Sequence, residues 1–528
     1  MSEAVSSPNR SEKFLEGALF FALVIHFVAT VSMGLLLLPA MPGAINSDVD
    51  RVRYIAEHLV LWHLGWLPWH LCALSDLVLA VSMFRTRWIP KIPVIATFVF
   101  TLLAVTVEQP AELRWNLEGA SIAQVCIKAN DIAPYLDFES EVYILVAAVA
   151  AVLYAAMAIC WTWAFAAAGT WNRLLTWVSI FTWSTLTFAA VGPLLPEPYR
   201  PPALVSGIAN AVGFNGMALW FILVLEAVLR RSRSDEYWGR MANWRHPRAG
   251  LIGSALTAIG NCRVLRYLGE IVPAVRMVSD IEDVIYINYL VDAKLLEPLV
   301  PLGLELQRLG PEQSHALFTV LTYRHGNFGP QIFGSLRKFF PSPVQSNWRI
   351  HVRDRAGVEG IFFVATVVTS SLVSLGGRIF ADGVPMHIAE AGSVTAGSDG
   401  GFTVTLVAGT GSSPDIVAKL SPCSKPVLIG AWKECFRDFD SFLAYCVPQD
   451  RAISGQPWYQ QITKQEINLG IPLSSCEPLE GIVQSRTIDQ LIGRGPQPVC
   501  FRVPRVSFSL EKVDRYRFDN KDGGSELS

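Results

Sequence analysis

The sequence has 528 residues, 51% of them hydrophobic and only 17% charged, with a mean hydropathy of +0.35. Soluble globular chains carry about 25% charged residues, so this composition excludes a wholly soluble protein. A formal net charge of −2 gives no pull toward nucleic acid, and nine cysteines over this length are too sparse for a disulfide scaffold. The length exceeds what one core supports, so several units are expected.

In chain order, the excess hydrophobicity falls in the first 230 residues. Six stretches there, 17–41, 59–84, 89–107, 142–167, 174–195 and 203–229, meet the requirement of about 20 mostly apolar residues for a bilayer span. Asp76, Pro90 and Pro93 interrupt the second and third, which neighbouring helices can tolerate. Trp62, Trp66, Trp69, Trp88, Trp171 and Trp177 gather near span ends, as an interfacial aromatic belt would. The first stretch is too long for a cleaved signal peptide and is read as a retained span.

Loop charges orient the bundle. Arg10, Lys13, Arg85, Arg87, Lys91 and Arg173 lie on one side, joined by Arg230, Arg231, Arg233, Arg240, Arg245 and Arg248 after the last span. On the other side, Arg51, Arg53, Arg114, Lys128 and Arg200 are offset by Asp48, Asp50, Glu112, Glu118, Asp131 and Asp137. The positive-inside rule therefore expects both termini, and all that follows the bundle, in the cytoplasm.

The domain plan is a six-span helical bundle over 1–231, a basic linker over 232–280, a β domain over 281–515 and a polar tail over 516–528. Within the linker, 251–259 is too short to span. It is either an amphipathic helix on the membrane surface or a helix packed on the soluble domain. Beyond it, 284–291, 316–322, 349–352, 361–368, 402–408 and 500–510 are short runs rich in Val, Ile, Phe and Thr. Such runs, bounded by turns, predict antiparallel strands closed into a barrel or sandwich. Helices are expected at 293–299 with Asp292 as N-cap, at 432–443 and at 486–492. The cysteines divide three and six between the halves with no CxxC spacing, so no zinc site is predicted, and thiols on a cytoplasmic side are expected reduced.

Asn288-Tyr289-Leu290-Val291-Asp292, the helix-like 293–300 and Pro301-Leu302-Gly303-Leu304-Glu305-Leu306 resemble the opening of the acetoacetate decarboxylase-like superfamily, and are similar to its DUF2071 branch. The segment 377–387, with Gly377-Arg378 and Pro385-Met386-His387, resembles that superfamily's "GRE…YPKK" block. The resemblance covers about 280–515 and implies a closed, cone-like antiparallel β-barrel with an internal cavity, an α+β domain in all. It also implies what is missing. Met386 stands where the family decarboxylases carry the lysine that forms a Schiff base, His387 where a second lysine lowers the first one's pKa, and Ile379 where the motif has glutamate. The arginine of the family's first strand is replaced around Glu282. A thioether forms no imine, so chemistry by other groups is expected, without a cofactor or metal.

The working groups expected for that chemistry are His387, His325 and Arg324. His387 would act as acid or base, or is simply satisfied by a backbone carbonyl. The polar loop 323–330 would curl Tyr323, Arg324, His325 and Asn327 toward a cavity mouth, with Arg324 suited to a carboxylate, or is a solvated turn. Trp348 and Arg349 would line a ligand wall or begin a strand. Arg378, Met386 and Glu390 complete the expected ligand set. In the bundle, His26, His58, His63, His70, Asp76 and Glu226 are candidates because ionisable groups in a membrane are costly. They would hold haem or a metal, mark a polar pathway, or pair within the bundle. The expected partners are the lipid bilayer and a small molecule, with no nucleic acid. A non-catalytic ligand-binding or signalling module and a transporter or histidine-ligated redox protein are the competing classes.

Overall fold

A computed structural model describes residues 10–42, 46–192, 195–232, 244–271, 277–301, 303–380, 386–447, 451–456, 461–468 and 471–517. Residues 381–385 of the second resemblance block, Arg233 and Arg240 of the basic cluster, and 518–528 of the tail therefore lie outside the described residues. The chain forms two compact units, Met1–Ser232 and Arg233–Ser528.

Among the described residues of the first unit, six helical segments are long and apolar enough to cross a membrane: Arg10–Ala40, Leu59–Arg85, Lys91–Ala129, Ala133–Ala167, Arg173–Val191 and Leu204–Arg231. Pro90 and Pro93 do not break the third segment, because Pro90 is its N-cap and Pro93 lies in the first turn, where no intrahelical N–H is needed. That helix continues well past 107, through Glu108, Gln109, Pro110 and a π-helical turn at Trp115–Gly119. The polar residues that seemed to end it are instead met by side chains of neighbouring helices. The aromatic belt needs a correction. Trp62 and Trp66 are buried and packed edge-on at 5.6 Å, Trp66 lies 5.3 Å from Trp115, and Trp62 Nε1 donates to the Asn116 carbonyl at 3.1 Å. Trp177 does stand exposed.

Among the described residues the second unit has thirteen strands: β1 (Met277–Asp292), β2 (Leu304–Leu306), β3 (His315–Pro330), β4 (Val344–Asp354), β5 (Glu359–Val368), β6 (Met386–Ile388), β7 (Ala391–Ala396), β8 (Phe402–Val407), β9 (Ile416–Pro422), β10 (Arg451–Gln456), β11 (Gln461–Asn468), β12 (Glu477–Gln484) and β13 (Val499–Arg517). They form one sheet in the order β1-β3-β4-β5-β10-β11-β13-β12-β9-β8-β7, with β2 on β4, β6 on β5, and β1 also paired to β13. All pairings are antiparallel except β5–β6 and β5–β10. The sheet curls into a half-barrel and stays open, which corrects the expected closed barrel. Among the described residues two pairs, Ala452–Ile361 and Ile453–Phe362, join β5 to β10. The strand path runs on past β13 to end at β7.

Local chemistry accounts for the helices. Asp292 caps Ala293–Leu296 by accepting from Lys294 N at 2.9 Å, and Ser485 caps Arg486–Ile492. The single helix expected at 432–443 is two, Ala431–Cys435 and Phe439–Cys446, because Asp438 and Ser441 form a capping box that starts the second. Of the two readings of the 251–259 segment, the described contacts favour packing. Helix Leu251–Gly260 lies in the second unit, where Arg378 Nε donates to the Gly260 carbonyl at 2.9 Å and Trp244 Nε1 to Ser374 Oγ at 3.0 Å.

The half-barrel sheet has two buried faces. One is an apolar core in which Ile285, Ile287, Phe318, Trp348, Ile350 and Val367 pack with Val404, Ala418 and Leu479. The other lies against helix Phe439–Cys446, where Tyr286, Leu321, Tyr323 and Phe501 meet Phe442, Leu443 and Cys446.

Candidate functional site: an unpaired arginine on the polar face of the half-barrel

Side chains alternate across a strand, and β4 divides sharply by this rule. Val344, Trp348, Ile350 and Val352 enter the apolar core. Gln345, Asn347, Arg349 and His351 therefore share the opposite face, on which Arg349 and His351 are buried and Gln345 and Asn347 half-buried. Cross-strand register extends the row. Asn347 is opposite Thr366 on β5 and Leu321 on β3, Thr366 is opposite Met386 on β6, and Arg349 is opposite Thr319.

Several buried polar atoms on this face lack a hydrogen-bond partner. Arg349 is 2% exposed and its Nε has no partner, while the rest of its guanidinium reaches only neutral groups, the Cys446 carbonyl at a long 3.4 Å from Nη2, the Tyr286 hydroxyl and the Cys446 thiol. Its guanidinium carbon lies 5.4 Å from the Tyr286 ring centroid, a cation–π distance. Among the described residues no carboxylate pairs with it. His351 is wholly buried with both ring nitrogens unpartnered, stacked on Tyr445 at 5.1 Å, and buried Thr366 leaves Oγ1 unpartnered. A buried charge without a partner costs several kcal/mol in a folded protein.

Beside them runs a continuous hydrogen-bonded chain. Ser279 Oγ meets His325 Nδ1 at 2.7 Å, and His325 Nε2 meets Gln345 Oε1 at 2.8 Å. Gln345 Nε2 donates to Asn347 Oδ1 at 2.9 Å, and Asn347 Nδ2 donates to the Tyr323 hydroxyl oxygen at 3.1 Å. Burial lowers His325 to about 4 and holds His351 well below the ordinary histidine range, with Arg349 adding to the latter. Both imidazoles are therefore neutral near pH 7. Burial likewise pushes the Cys446 thiol up to about 11 and the Tyr286 phenol up to about 12.

The residues expected from sequence are only partly brought together. Tyr323, Arg349 and Met386 lie on the polar face, and His325 joins it through Gln345. His387 does not. It pairs with Val367 on the apolar face and its Nδ1 meets Ser412 Oγ at 2.8 Å. Trp348 is core, packed edge-on against Phe318 and donating to Ser346 Oγ. Arg324 points away as well, donating to the Val394 carbonyl at 2.9 Å. Arg378 spends its guanidinium on Gly260 and Asn261, and Glu390 is exposed. The expected loop at 323–330 is the end of β3. Its bend sits at Asn327 (φ 51), and Gly326 is needed because a Cβ there would stand 2.8 Å from the Asp280 carbonyl. Sequence reasoning missed His351, Thr366, Gln345 and Asn347. The available signal was the polar alternation of 345–351, which ordinarily marks a solvated face.

Comparison with known proteins bears on the second unit alone. The model of DUF2071, a family described as an uncharacterized conserved protein, matches residues 279–405. No curated protein matches the chain significantly. Among solved structures, an acetoacetate decarboxylase-like enzyme from Sphingomonas wittichii RW1 is 9% identical with a TM-score of 0.34, covering 47% of this chain and 94% of that one. The enduracididine biosynthesis enzyme MppR, with HEPES buffer bound, is 13% identical with a TM-score of 0.31, covering 47% of this chain and 89% of its own. Both blocks of the resemblance, 288–306 and 377–387, fall inside the matched segment, so over its C-terminal half the chain is similar to DUF2071 and to acetoacetate decarboxylase-like enzymes.

Proposed function

We propose that the half-barrel binds a small carboxylate-bearing molecule, with Arg349 as its counter-charge and the Tyr323 hydroxyl donating to an adjacent carbonyl or carboxyl oxygen. The observation that carries this reading is the buried guanidinium of Arg349, whose Nε is unpartnered and which no acid neutralises. A planar carboxylate matches the guanidinium fork and would supply the missing acceptor. Asn347 already donates to the Tyr323 oxygen, so the hydroxyl proton is left to point at a ligand. Any transformation of the ligand proceeds without an imine in this reading, as Met386 requires. Six apolar helices make the protein a multi-pass membrane protein in this reading, and the basic side of the loops puts the half-barrel in the cytoplasm.

The test is calorimetric titration of the full chain in detergent with pyruvate and acetoacetate as probes of the class, beside uncharged acetone. Saturable binding of a keto acid but not of acetone, lost in Arg349→Met, supports the proposal; equal behaviour of the variant overturns it. Borohydride added with the keto acid is expected to leave no covalent adduct, read by intact mass. A reporter fused after Ser528 and assayed on each side of the membrane checks the orientation.

A further inference from the structure

The bundle holds a second set of buried polar groups that the half-barrel reading does not use. They line the seam between helices Leu59–Arg85 and Lys91–Arg114 with its π-helical continuation. At one end His63 Nδ1 meets Asn116 Oδ1 at 2.6 Å. Next, His70 Nδ1 meets Gln109 Oε1 at 2.9 Å and stands 3.4 Å from Glu112 Oε2. Gln109 Nε2 donates to Glu112 Oε2 at 3.0 Å and lies 3.4 Å from Glu108 Oε2, and Tyr154 of helix Ala151–Ala167 donates its hydroxyl to Glu108 Oε2 at 2.5 Å. Further along, Asp76 is 4% exposed and its Oδ1 makes no hydrogen bond, although His26 Nε2 of the first helix stands 3.7 Å away. Beyond Asp76, buried Ser82, Thr86, Thr97 and Thr101 donate their hydroxyls to backbone carbonyls of their own helices.

Three features separate this seam from ordinary polar packing. Among the described residues no Lys or Arg pairs with Asp76, Glu108 or Glu112, although ionisable groups at membrane depth normally find a counter-charge. The row is also long. His63 to Asp76 spans 13 positions of one helix, about 20 Å at 1.5 Å per residue, about two thirds of a hydrocarbon core of about 30 Å. Finally, the glutamate oxygens face O–H and N–H donors and not other oxygens. A bare cation needs a cage of oxygens, and among the described residues no group of three His, Cys, Asp or Glu side chains could hold a metal ion. Alternating donors and acceptors suit a proton instead.

We propose that this seam conducts protons across the bundle, with Asp76, Glu108 and Glu112 as the exchanging carboxyls and His70 and His26 as their imidazole partners. Each transfer breaks an O–H or N–H bond on one group and forms one on its neighbour, with no other reactant. The test is the full chain in phosphatidylcholine vesicles loaded with a pH-sensitive dye, driven by a potassium potential set with valinomycin. The wild type is expected to collapse the proton gradient at least tenfold faster than protein-free vesicles. Asp76→Asn and Glu112→Gln should return to the protein-free rate, while Glu118→Gln, at an exposed ion pair with Arg114, should match the wild type. A hydrophobic carbodiimide, which modifies carboxyls in apolar surroundings, should stop the flux in the wild type without any substitution. Wild-type flux equal to that of empty vesicles, or unchanged flux in either Asp76→Asn or Glu112→Gln, overturns the proposal.

Discussion

Arg51 in the bundle unit and Arg349 in the half-barrel are buried to almost the same degree, at 3% and 2% exposure, yet their surroundings differ in kind. Arg51 donates from Nη1 to Glu139 Oε1 at 3.1 Å and from Nη2 to Glu139 Oε2 at 2.8 Å, with Asp48 and the Ala40 carbonyl taking further bonds. This bidentate geometry is the one that repays desolvation of an ion pair. Arg349 has an aromatic face, a distant carbonyl, a hydroxyl and a thiol, and among the described residues no carboxylate. The contrast teaches that burial alone does not identify a functional charge. A buried cation that the chain has already neutralised is architecture, and one left without an anion is arranged for something from outside.

The largest expected effect breaks the architectural member of the pair. Arg51→Met leaves Glu139 buried and unpaired, so unfolding of the detergent-solubilised protein should show a loss of about 3–5 kcal/mol. Arg349→Met strands no partner. Its thermal midpoint should hold or rise, while keto-acid affinity should fall about 100-fold, close to 3 kcal/mol, by titration calorimetry. A large loss of stability in Arg349→Met would erase the distinction.

Acid should reach the half-barrel through its histidines. His325 sits at about 4 when folded and near 6.5 when unfolded. The unfolded chain therefore binds the extra proton first as pH falls. The stability contribution is whole above about 6.5, declines between 6.5 and 4, and levels off below. At 1.4 kcal/mol per pH unit the loss is about 3 kcal/mol by pH 4, measurable as a falling denaturation midpoint. His325→Gln should flatten part of this slope, and buried His351 should sustain what is left. The smallest effect is expected from Tyr323→Phe, which removes one hydrogen bond. It should weaken keto-acid binding about tenfold and change stability by about 1 kcal/mol.

How much of this was legible depends on whether the signal was local. Strands β1, β3, β5 and β8 announced themselves through short β-branched runs, and Asp292 through its place before a helical segment. The polar face of β4 was visible as alternation in Gln345, Asn347, Arg349 and His351, but alternation reports only that two faces differ. It does not say which one meets water. Helix Phe439–Cys446 settles that, from nearly a hundred positions away. His387 was misplaced for a related reason. Neighbouring residues of a strand point to opposite faces, so Met386 and His387 cannot both face one site. In the bundle, stopping the third span at 107 left out Glu108, Gln109 and Glu112, and the seam exists only once two helices lie side by side.

The two-pair join between β5 and β10 carries a kinetic consequence. A wall of full ladders holds its strands at every position, whereas the half-barrel can part more readily where its described join is two residue pairs long. The join also follows immediately along β5 from Phe363, the residue opposite Arg349, since Ile361 and Phe362 form it. Amides of Ala452 and Ile453 should therefore exchange with solvent sooner than those of the β1–β3 ladder, and a ligand held by Arg349 should slow them. A ligand bound as proposed would then leave at a rate set by how often this short join opens.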